Sequence, residues 1–340
     1  MDRGSDEKRF DSAVSIIGEK LRRLLLDLPT YIKIQTYEIR LRSGRPVILY
    51  GKFGNYYLLN SGSTGVNIRN TYTCTPEMLT DTFNRLCCYS VHSHLGSIVN
   101  GYITIQGGHR AGIVGTAVTN ASGEITSLRE ISGINIRVSR EAIGCSDEII
   151  DNLFSNNPVS CIIAGPPSSG KTTVLRDLVR RLSTDVYGKV YKVSVVDERQ
   201  EIACMNGGIA QNDIGINSDV LNCYPKRQAI ITAIKTMSPD IIAIDEVAET
   251  NEIDAIRLGV NSGVKFIVTV HAFDHSELIS RQQIEELINT YSFDKVILLD
   301  SGENVGKVKA VYDTQELRNE IIGRRFHLDK SDLSWAHLCS

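Results

Sequence analysis

Residues 159–172 read VSCIIAGPPSSGKT, and this stretch decides the fold. Residues 165–172 match the pattern G-x-x-x-x-G-K-[ST], in which a glycine-rich loop joins a strand to a helix. The apolar run 159–164 predicts a buried strand directly before the loop. A helix is predicted from Lys171, because apolar residues recur at helical spacing on one side: Val174, Leu175, Leu178, Val179 and Leu182. Strand, loop and helix in this order are the context that the motif requires.

A loop of this kind binds phosphate groups. Its backbone N–H groups and the positive end of the helix dipole solvate negative charge. We expect Lys171 to reach the β- and γ-phosphates of a nucleoside triphosphate and Thr172 to ligate Mg²⁺. The alternative is a glycine-rich turn that only starts a helix. The predicted nucleotide-binding residues of this segment are Gly165, Pro166, Pro167, Ser168, Ser169, Gly170, Lys171, Thr172 and Thr173.

A second apolar run, residues 241–244, ends in Asp245 and Glu246. At the carboxyl end of a parallel strand, such a pair opens into the crevice where ligands bind. We expect Asp245 to hold Mg²⁺, directly or through water. Glu246 is expected to orient and deprotonate the water that attacks the terminal phosphate, which makes it a catalytic residue together with Lys171. Surface carboxylates at a strand end are the alternative.

Two further strand ends carry candidate residues. The predicted strand 193–196 ends in Asp197 and Glu198, either of which can add a carboxylate near the metal, and Glu198 is assigned to the nucleotide site. The predicted strand 266–270 ends at His271, which can hydrogen-bond the γ-phosphate or Glu246 and so report the nucleotide state. Charged residues that simply leave a strand, and a histidine with a structural role, are the alternatives.

The length of 340 residues favours two domains, and we predict them at 1–140 and 141–340. From residue 159 onward, short apolar runs alternate with amphipathic segments, which predicts a parallel sheet with helical crossovers. Two late strands, 295–299 and 307–312, are predicted to form a hairpin. The first half is predicted to be mixed α/β, with a helix at 10–26, extended segments at 37–50 and 131–138, a hairpin at 102–118 and a connecting helix at 141–154.

Composition excludes several classes of protein. Lys and Arg together number 37 and Asp and Glu 40, so the formal net charge is −3. Because a generic electrostatic grip on nucleic acid needs a strongly basic domain, nucleic acid is not an expected partner. No apolar run approaches the roughly 18–20 residues that span a bilayer, and the polar N-terminus lacks the apolar core of a signal peptide. We therefore expect a cytoplasmic protein whose eight cysteines are thiols.

The order of these motifs is similar to that of the secretion-superfamily ATPases, the hexameric motors of type II and type IV secretion and of type IV pili. In that superfamily a phosphate loop, an acidic strand, a carboxylate strand and a histidine follow one another. The first half narrows the resemblance. Residues 37–46 (YEIRLRSGRP), 101–112 (GYITIQGGHRAG) and 131–137 (ISGINIR) resemble the stage III sporulation protein AA family of endospore-forming bacteria.

This resemblance implies an α/β fold: a RecA-like P-loop ATPase C-terminal domain with a smaller mixed α/β N-terminal domain. It implies ATP and Mg²⁺ as ligands and a homo-oligomer, a hexameric ring, in the cytoplasm of the mother cell. The ring would be peripherally associated with the membrane components of a secretion-like channel between mother cell and forespore.

The resemblance also implies roles for arginines. In the superfamily, arginines of the N-terminal domain contact nucleotide phosphates, often across a subunit boundary. Arg110 and Arg137 match such positions and are predicted to be catalytic, with Arg42 a weaker candidate. One departure concerns the metal, because many of these motors have Gly-Glu where this chain has Asp245-Glu246. The metal is therefore expected to be held as in ordinary P-loop ATPases.

Three other functions stay open at the level of sequence. The first is a type II/IV secretion or type IV pilus motor ATPase outside sporulation. The second is a RecA-like protein that binds single-stranded nucleic acid in an ATP-dependent way. The third is a scaffold that does not hydrolyse ATP, which both carboxylates, Asp245 and Glu246, disfavour.

Overall fold

The structure is a computed structural model that describes residues 3–99 and 101–335, with side chains for residues 6–99, 101–302 and 304–324. Contacts between Cα atoms divide the chain into two compact units. The first unit contains Met1–Glu141 and Cys204–Gln211, and the second contains Ala142–Ala203 and Asn212–Ser340. The domain boundaries that the sequence predicts, 1–140 and 141–340, remain a prediction.

The first unit is a mixed α/β structure. Its helices are α1 Arg3–Val14, α2 Glu19–Leu26, α3 Thr30–Gln35, α4 Pro76–Leu86 and α5 Leu95–Val99, with a 3₁₀ turn at Val91–His94. Its strands are β1 Thr36–Arg42, β2 Arg45–Pro46, β3 Ile48–Gly51, β4 Gly54–Leu58, β5 Thr64–Gly65, β6 Thr73–Cys74, β7 Tyr102–Ile105, β8 His109–Thr119 and β9 Ile125–Arg137.

Seven of these strands form an antiparallel sheet in the order β5-β4-β3-β1-β9-β8-β7, and β2 pairs with β6. Alternation along β1 buries Ile39 and Leu41 and turns Glu38, Arg40 and Arg42 to the opposite face. The buried face packs on a core with large apolar side chains from the first two helices, Phe10, Leu21 and Leu25.

The predicted helix at 10–26 is wrong, because the chain forms two helices there. Gly18 separates them and has an extended backbone, with φ −55° and ψ 146°. A Cβ atom on Gly18 would lie 2.4 Å from Asp81 Oδ2, so a side chain at this position would require the Asp81 carboxylate to shift. A hydrophobic repeat alone does not reveal such a break, since buried residues continue on both sides of it.

The second unit contains a parallel sheet flanked by helices. Its strands are β10 Cys161–Gly165, β11 Val193–Asp197, β12 Ser218–Asn222, β13 Ile241–Ile244, β14 Lys265–His271, β15 Lys295–Leu299 and β16 Val308–Asp313. Its helices are α6 Asp147–Leu153, α7 Lys171–Thr184, α8 Lys226–Thr236, α9 Thr250–Val260, α10 His275–Leu278, α11 Gln282–Ile288 and α12 Thr314–Trp335, with a 3₁₀ turn at Gly302–Asn304.

The strand order of this second sheet is β12-β11-β13-β14-β10-β15-β16. All neighbours run parallel except β15 and β16, which form an antiparallel hairpin. The predicted parallel sheet and its terminal hairpin are thus confirmed. Because β13, β14 and β10 are adjacent, the segments that follow them meet at one edge of the sheet.

The predicted hairpin at 102–118 is confirmed by β7 and β8, which pair with Tyr102 opposite Gly112. The predicted connecting helix at 141–154 is wrong in length, since only Asp147–Leu153 is helical. Gly144, with φ +84°, has a left-handed backbone that a helix cannot continue through. Among the described residues, no helix combines the length and the apolar character needed to cross a membrane.

Candidate active site

The loop between β10 and α7 has a backbone that depends on glycine. Gly170 lies directly before α7 with φ +89°, and Ser168 has φ +61°. A Cβ atom on Gly165 would lie 2.4 Å from Ser169 Oγ, and one on Gly170 would lie 3.2 Å from Gly306 Cα. The loop therefore folds into a tight turn whose following helix presents its first backbone N–H groups, which lack partners within the helix.

The remaining loop residues differ in exposure. Pro166 and Ser169 are buried, whereas Pro167 and Ser168 are exposed. Ser169 contributes its backbone oxygen to a hydrogen bond from Gly306 N at 2.9 Å, which ties the loop to the β15–β16 hairpin. This bond helps to hold the loop in its turn conformation.

Lys171 is buried at the start of α7. Its Nζ donates to the backbone oxygens of Gly165, at 3.0 Å, and Pro166, at 2.9 Å, and lies 3.2 Å from His271 Nδ1. Burial lowers the pKa of Lys171, although the negative charges of Asp245 and Glu246 oppose that shift. The ammonium group is therefore already within the site, held by weak neutral acceptors that a phosphate can replace.

Asp245 follows β13 and is linked to two hydroxyl groups. Thr172 Oγ1 donates to Asp245 Oδ2 at 2.7 Å, and Thr269 Oγ1 donates to Asp245 Oδ1 at 2.6 Å. Burial raises the pKa of Asp245, and these two hydrogen bonds reduce the rise. One hydroxyl and one carboxylate, both hard oxygen donors, fit Mg²⁺, which typically takes only one or two protein ligands beside phosphate and water.

Glu246 has a backbone in the left-handed region, with φ +53°. Its N–H donates to Thr269 Oγ1 at 2.7 Å. Its carboxylate contacts two cationic or potentially cationic groups, His271 Nε2 at 3.1 Å from Oε1 and Arg199 Nη1 at Oε2. Burial would raise the pKa of Glu246, but the His271 hydrogen bond and the charges of Arg199 and Lys171 outweigh it and lower that pKa below its ordinary value.

His271, at the end of β14, lies between Lys171 and Glu246 and contacts both. Its Nδ1 faces Lys171 and its Nε2 faces Glu246. A single imidazole ring therefore lies between the Lys171 ammonium group and the Glu246 carboxylate. A polar cleft of about 520 Å³ opens beside Glu246 and His271, and its walls include Glu198, Arg199 and Lys226.

The two carboxylates at the end of β11 differ in their contacts. Asp197 is buried and accepts backbone hydrogen bonds from Glu201, Ile202 and Ala203 at 2.8–3.1 Å. It thereby anchors the loop that follows β11. Glu198 is more exposed, and its Oε2 lies 3.7 Å from Lys226 Nζ.

The arginines predicted from the first half lie on its antiparallel sheet. Arg110 and Arg137 are Cα partners on β8 and β9. The Arg110 guanidinium lies 3.4 Å above the centre of the Tyr102 ring. Arg137 is largely exposed, with Nε 3.7 Å from Glu38 Oε2.

Arg42, the weaker candidate, uses its guanidinium locally. Its Nη1 donates to the backbone oxygens of Leu41, at 2.8 Å, and Ile134, at 3.0 Å. Thr173, the last residue of the predicted nucleotide set, accepts a hydrogen bond at its backbone oxygen from Cys145 Sγ at 3.7 Å.

Sequence reasoning did not select three residues that contact the site: Arg199, Lys226 and Thr269. Thr269 precedes His271 by two positions on β14, so strand alternation places both on one face. Arg199 directly follows Glu198, so its position near the site could have been inferred from the sequence. No local signal marks Lys226, because it is far from the motifs in sequence and reaches Glu246 only through the strand order.

The chain is similar in sequence to a known family and in fold to solved structures. The family model described as sporulation stage III, protein AA, matches residues 7–319. The stage III sporulation protein AA of Bacillus subtilis is 32% identical over 305 residues, which cover 89% of this chain and 95% of that protein.

Two solved structures share the fold at low identity. The pilus retraction motor PilT with bound ADP has a TM-score of 0.56 and 14% identity, and covers 87% of this chain and 86% of its own. The ATPase DotB of Yersinia pseudotuberculosis has a TM-score of 0.51 and 15% identity, and covers 84% of this chain and 78% of its own. The predicted α/β fold, a RecA-like P-loop domain with a mixed α/β N-terminal domain, is confirmed. The match over residues 7–319 means that the chain belongs to the stage III sporulation protein AA family.

Proposed function

We propose that this protein is an ATPase that uses ATP hydrolysis to energise or gate a secretion-like channel between mother cell and forespore during endospore formation. Membership in the sporulation family supports the biological setting. The fold shared with a pilus retraction motor that binds ADP supports nucleotide chemistry. One observation carries the proposal: Lys171, His271 and Glu246 form a continuous chain of contacts beside the Thr172–Asp245 pair.

ATP binds at the loop of residues 165–172 in this proposal. Backbone N–H groups of the loop and of the N-terminus of α7 donate hydrogen bonds to the phosphate oxygens. Lys171 exchanges its two carbonyl acceptors for β- and γ-phosphate oxygens, a gain because charge-assisted hydrogen bonds are stronger than neutral ones. Thr172 and Asp245 are the residues that would hold Mg²⁺, and the ion, when bound, offsets phosphate charge.

Glu246 is the proposed general base. A carboxyl group is ionised at neutral pH, and the lowered pKa of Glu246 does not change this, so the carboxylate can accept a proton from water. The attacking oxygen then bonds to the terminal phosphorus as the bond to the leaving diphosphate breaks. His271 contacts both Lys171 and Glu246, which allows occupancy of the phosphate site to influence the orientation of the base.

We further propose that the protein acts as a homo-oligomer, a hexameric ring. Arg110 and Arg137 of one subunit would contact the nucleotide of its neighbour, where a guanidinium can bind phosphate through two hydrogen bonds. Stacking on Tyr102 limits the orientations of the Arg110 guanidinium before any ligand arrives. The ring would work in the mother-cell cytoplasm, associated with membrane components of the secretion-like apparatus and not with nucleic acid.

The test combines turnover, nucleotide binding and molecular size. Purified protein should release phosphate from ATP in a Mg²⁺-dependent reaction and elute as a larger species with Mg²⁺–ATP than without it. Lys171→Ala should weaken ATP binding by about ten- to a hundred-fold, because it removes a charge-assisted contact.

Lys235→Ala, at an exposed position on α8, is the matched control and should bind ATP like the unmodified chain. Tight ATP binding by Lys171→Ala would contradict the assignment of the phosphate loop. A monomer under all nucleotide conditions would contradict the ring.

A further inference from the structure

Lys226 is a buried lysine that lies outside the motifs. It is the first residue of α8 and follows Pro225, and its side chain is 7% exposed. Its Nζ donates to the backbone oxygen of Glu246 at 2.7 Å. The same Nζ lies 3.4 Å from Glu252 Oε1 and 3.7 Å from Glu198 Oε2. One ammonium group therefore contacts the segments after β11 and β13 and the first turn of α9.

The backbone of Glu246 needs such support. Its φ of +53° is in the left-handed region, which is unfavourable for a residue with a Cβ atom and persists only where the surroundings impose it. Two side chains hold its peptide groups, since Thr269 Oγ1 accepts from the N–H and Lys226 donates to the C=O. The direction of the Glu246 side chain follows from this backbone conformation.

The buried carboxylate of Glu252 requires a positively charged group at the position of Lys226. Glu252 is itself buried and accepts hydrogen bonds from Ala248 N, at 2.9 Å, and Glu249 N, at 3.1 Å. Its carboxylate needs a positively charged partner because an unpaired buried charge is costly. Lys226 therefore compensates Glu252 and at the same time binds the carbonyl of Glu246.

We propose that Lys226 is a positioning residue, whose ammonium group holds the main chain of Glu246 in the conformation that directs the carboxylate toward His271 and the attacking water. The inference rests on the proposed function of Glu246 as the general base. Lys226 acts through Glu246 and takes no proton in the reaction. Loss of Lys226 should therefore impair the chemical step more than nucleotide binding.

The first experiment compares Lys226→Met with the unmodified full-length chain. Turnover should fall about ten- to a hundred-fold, because a small misplacement of a catalytic group is costly, while KM for ATP changes less than about two-fold. Lys33→Met is the matched control, since Lys33 is also buried and its Nζ lies 2.9 Å from Asp11 Oδ1 and 3.4 Å from Glu7 Oε1. It removes a buried lysine whose acidic partners are partly exposed, at a place that does not contact Glu246, and should keep its turnover.

The second experiment asks whether Lys226 acts through Glu246. In a Glu246→Gln background, measured by single-turnover release of phosphate from labelled ATP, Lys226→Met should cause little further loss. An equal fold-loss in both backgrounds would overturn the proposal. So would unchanged turnover of Lys226→Met, or the same loss of turnover in Lys33→Met.

A third measurement does not depend on turnover. Hydrogen exchange at the amides of residues 245–248 should be faster in Lys226→Met, while exchange in residues 165–172 stays the same. If Lys226→Met does not fold, the double variant with Glu252→Gln removes the uncompensated carboxylate and is used instead. Unchanged exchange overturns the positioning role even if the chain hydrolyses no ATP. Absent hydrolysis by the unmodified chain, in contrast, contradicts the proposed function itself.

Discussion

Strands β10, β11 and β13 of the second unit are buried at every residue, whereas β1 of the first unit alternates between buried and partly exposed positions. In the parallel sheet, covered on both faces by helices, polar side chains collect where the strands end. In the antiparallel sheet, one face packs on the core and the other carries charged residues along its length.

This difference separates two ways of building a site. Asp245, Glu246 and His271 come from adjacent strand ends and contact one another or shared partners within hydrogen-bond distance. Glu38, Arg137 and Arg110 are neighbours across β1, β9 and β8 because of strand register. The strand-end set is compact and linked by hydrogen bonds, while the sheet-face set is spread along neighbouring strands.

Glu246→Gln tests the site at the strand ends of the second unit and should have the greatest effect on turnover. The amide keeps the shape of the side chain but cannot accept a proton in the same way, so turnover should fall about a hundred- to a thousand-fold while ATP stays bound. Phosphate release and binding of a fluorescent ATP analogue measure the two effects. Glu148→Gln, at an exposed position on α6, should have no effect. Normal hydrolysis by Glu246→Gln would remove this residue from the reaction.

The next test concerns the sheet face of the first unit. Arg110→Ala and Arg137→Ala should each lower turnover on the order of ten- to a hundred-fold, since each removes a guanidinium proposed to stabilise phosphate charge. Thermal melting should stay unchanged, because neither side chain belongs to the core. Arg129→Ala is the control, an exposed arginine on the same strand as Arg137. Activity of both variants equal to that of the control would limit the catalytic residues to the second unit.

The smallest expected effect comes from Arg199→Gln. Arg199 is largely exposed, and an exposed ion pair contributes little, so turnover at neutral pH should change less than about three-fold. The guanidinium helps to lower the pKa of Glu246, so its removal should raise that pKa. The acidic limb of the kcat/KM profile should therefore move to higher pH, whereas Arg199→Lys, which keeps the charge, should move it less. A shift to lower pH would contradict the arrangement of charges around Glu246.

Several elements were predictable because their signals are local. The strand, loop and helix around Gly165, Gly170 and Lys171 follow from contiguous residues. Apolar runs predicted the parallel sheet and the β15–β16 hairpin. The break at Gly18 was missed because buried apolar residues continue on both sides of it, with Val14 and Ile17 before it and Leu21 after it.

In the candidate site too, residues in local motifs were predictable and residues placed by long-range contacts were not. Lys171, Thr172, Asp245, Glu246 and His271 were selected from motifs, and they lie together in the fold. Either Asp197 or Glu198 was expected to add a carboxylate near the metal. The Asp197 carboxylate accepts three backbone hydrogen bonds, a use that the sequence of a strand end does not reveal. Lys226 carries no motif, and its role depends on which strands are neighbours.

The sequence alone determined the strand, loop and helix around residues 165–172, two carboxylates after a buried strand, and a resemblance to a family through motifs in both halves. The reason is that a loop and its flanking elements are encoded by adjacent residues. Only the tertiary structure decided which groups hold Glu246. Thr269, Arg199 and Lys226 come from separate segments, and their contacts arise from the order and register of strands that pair far apart in the chain.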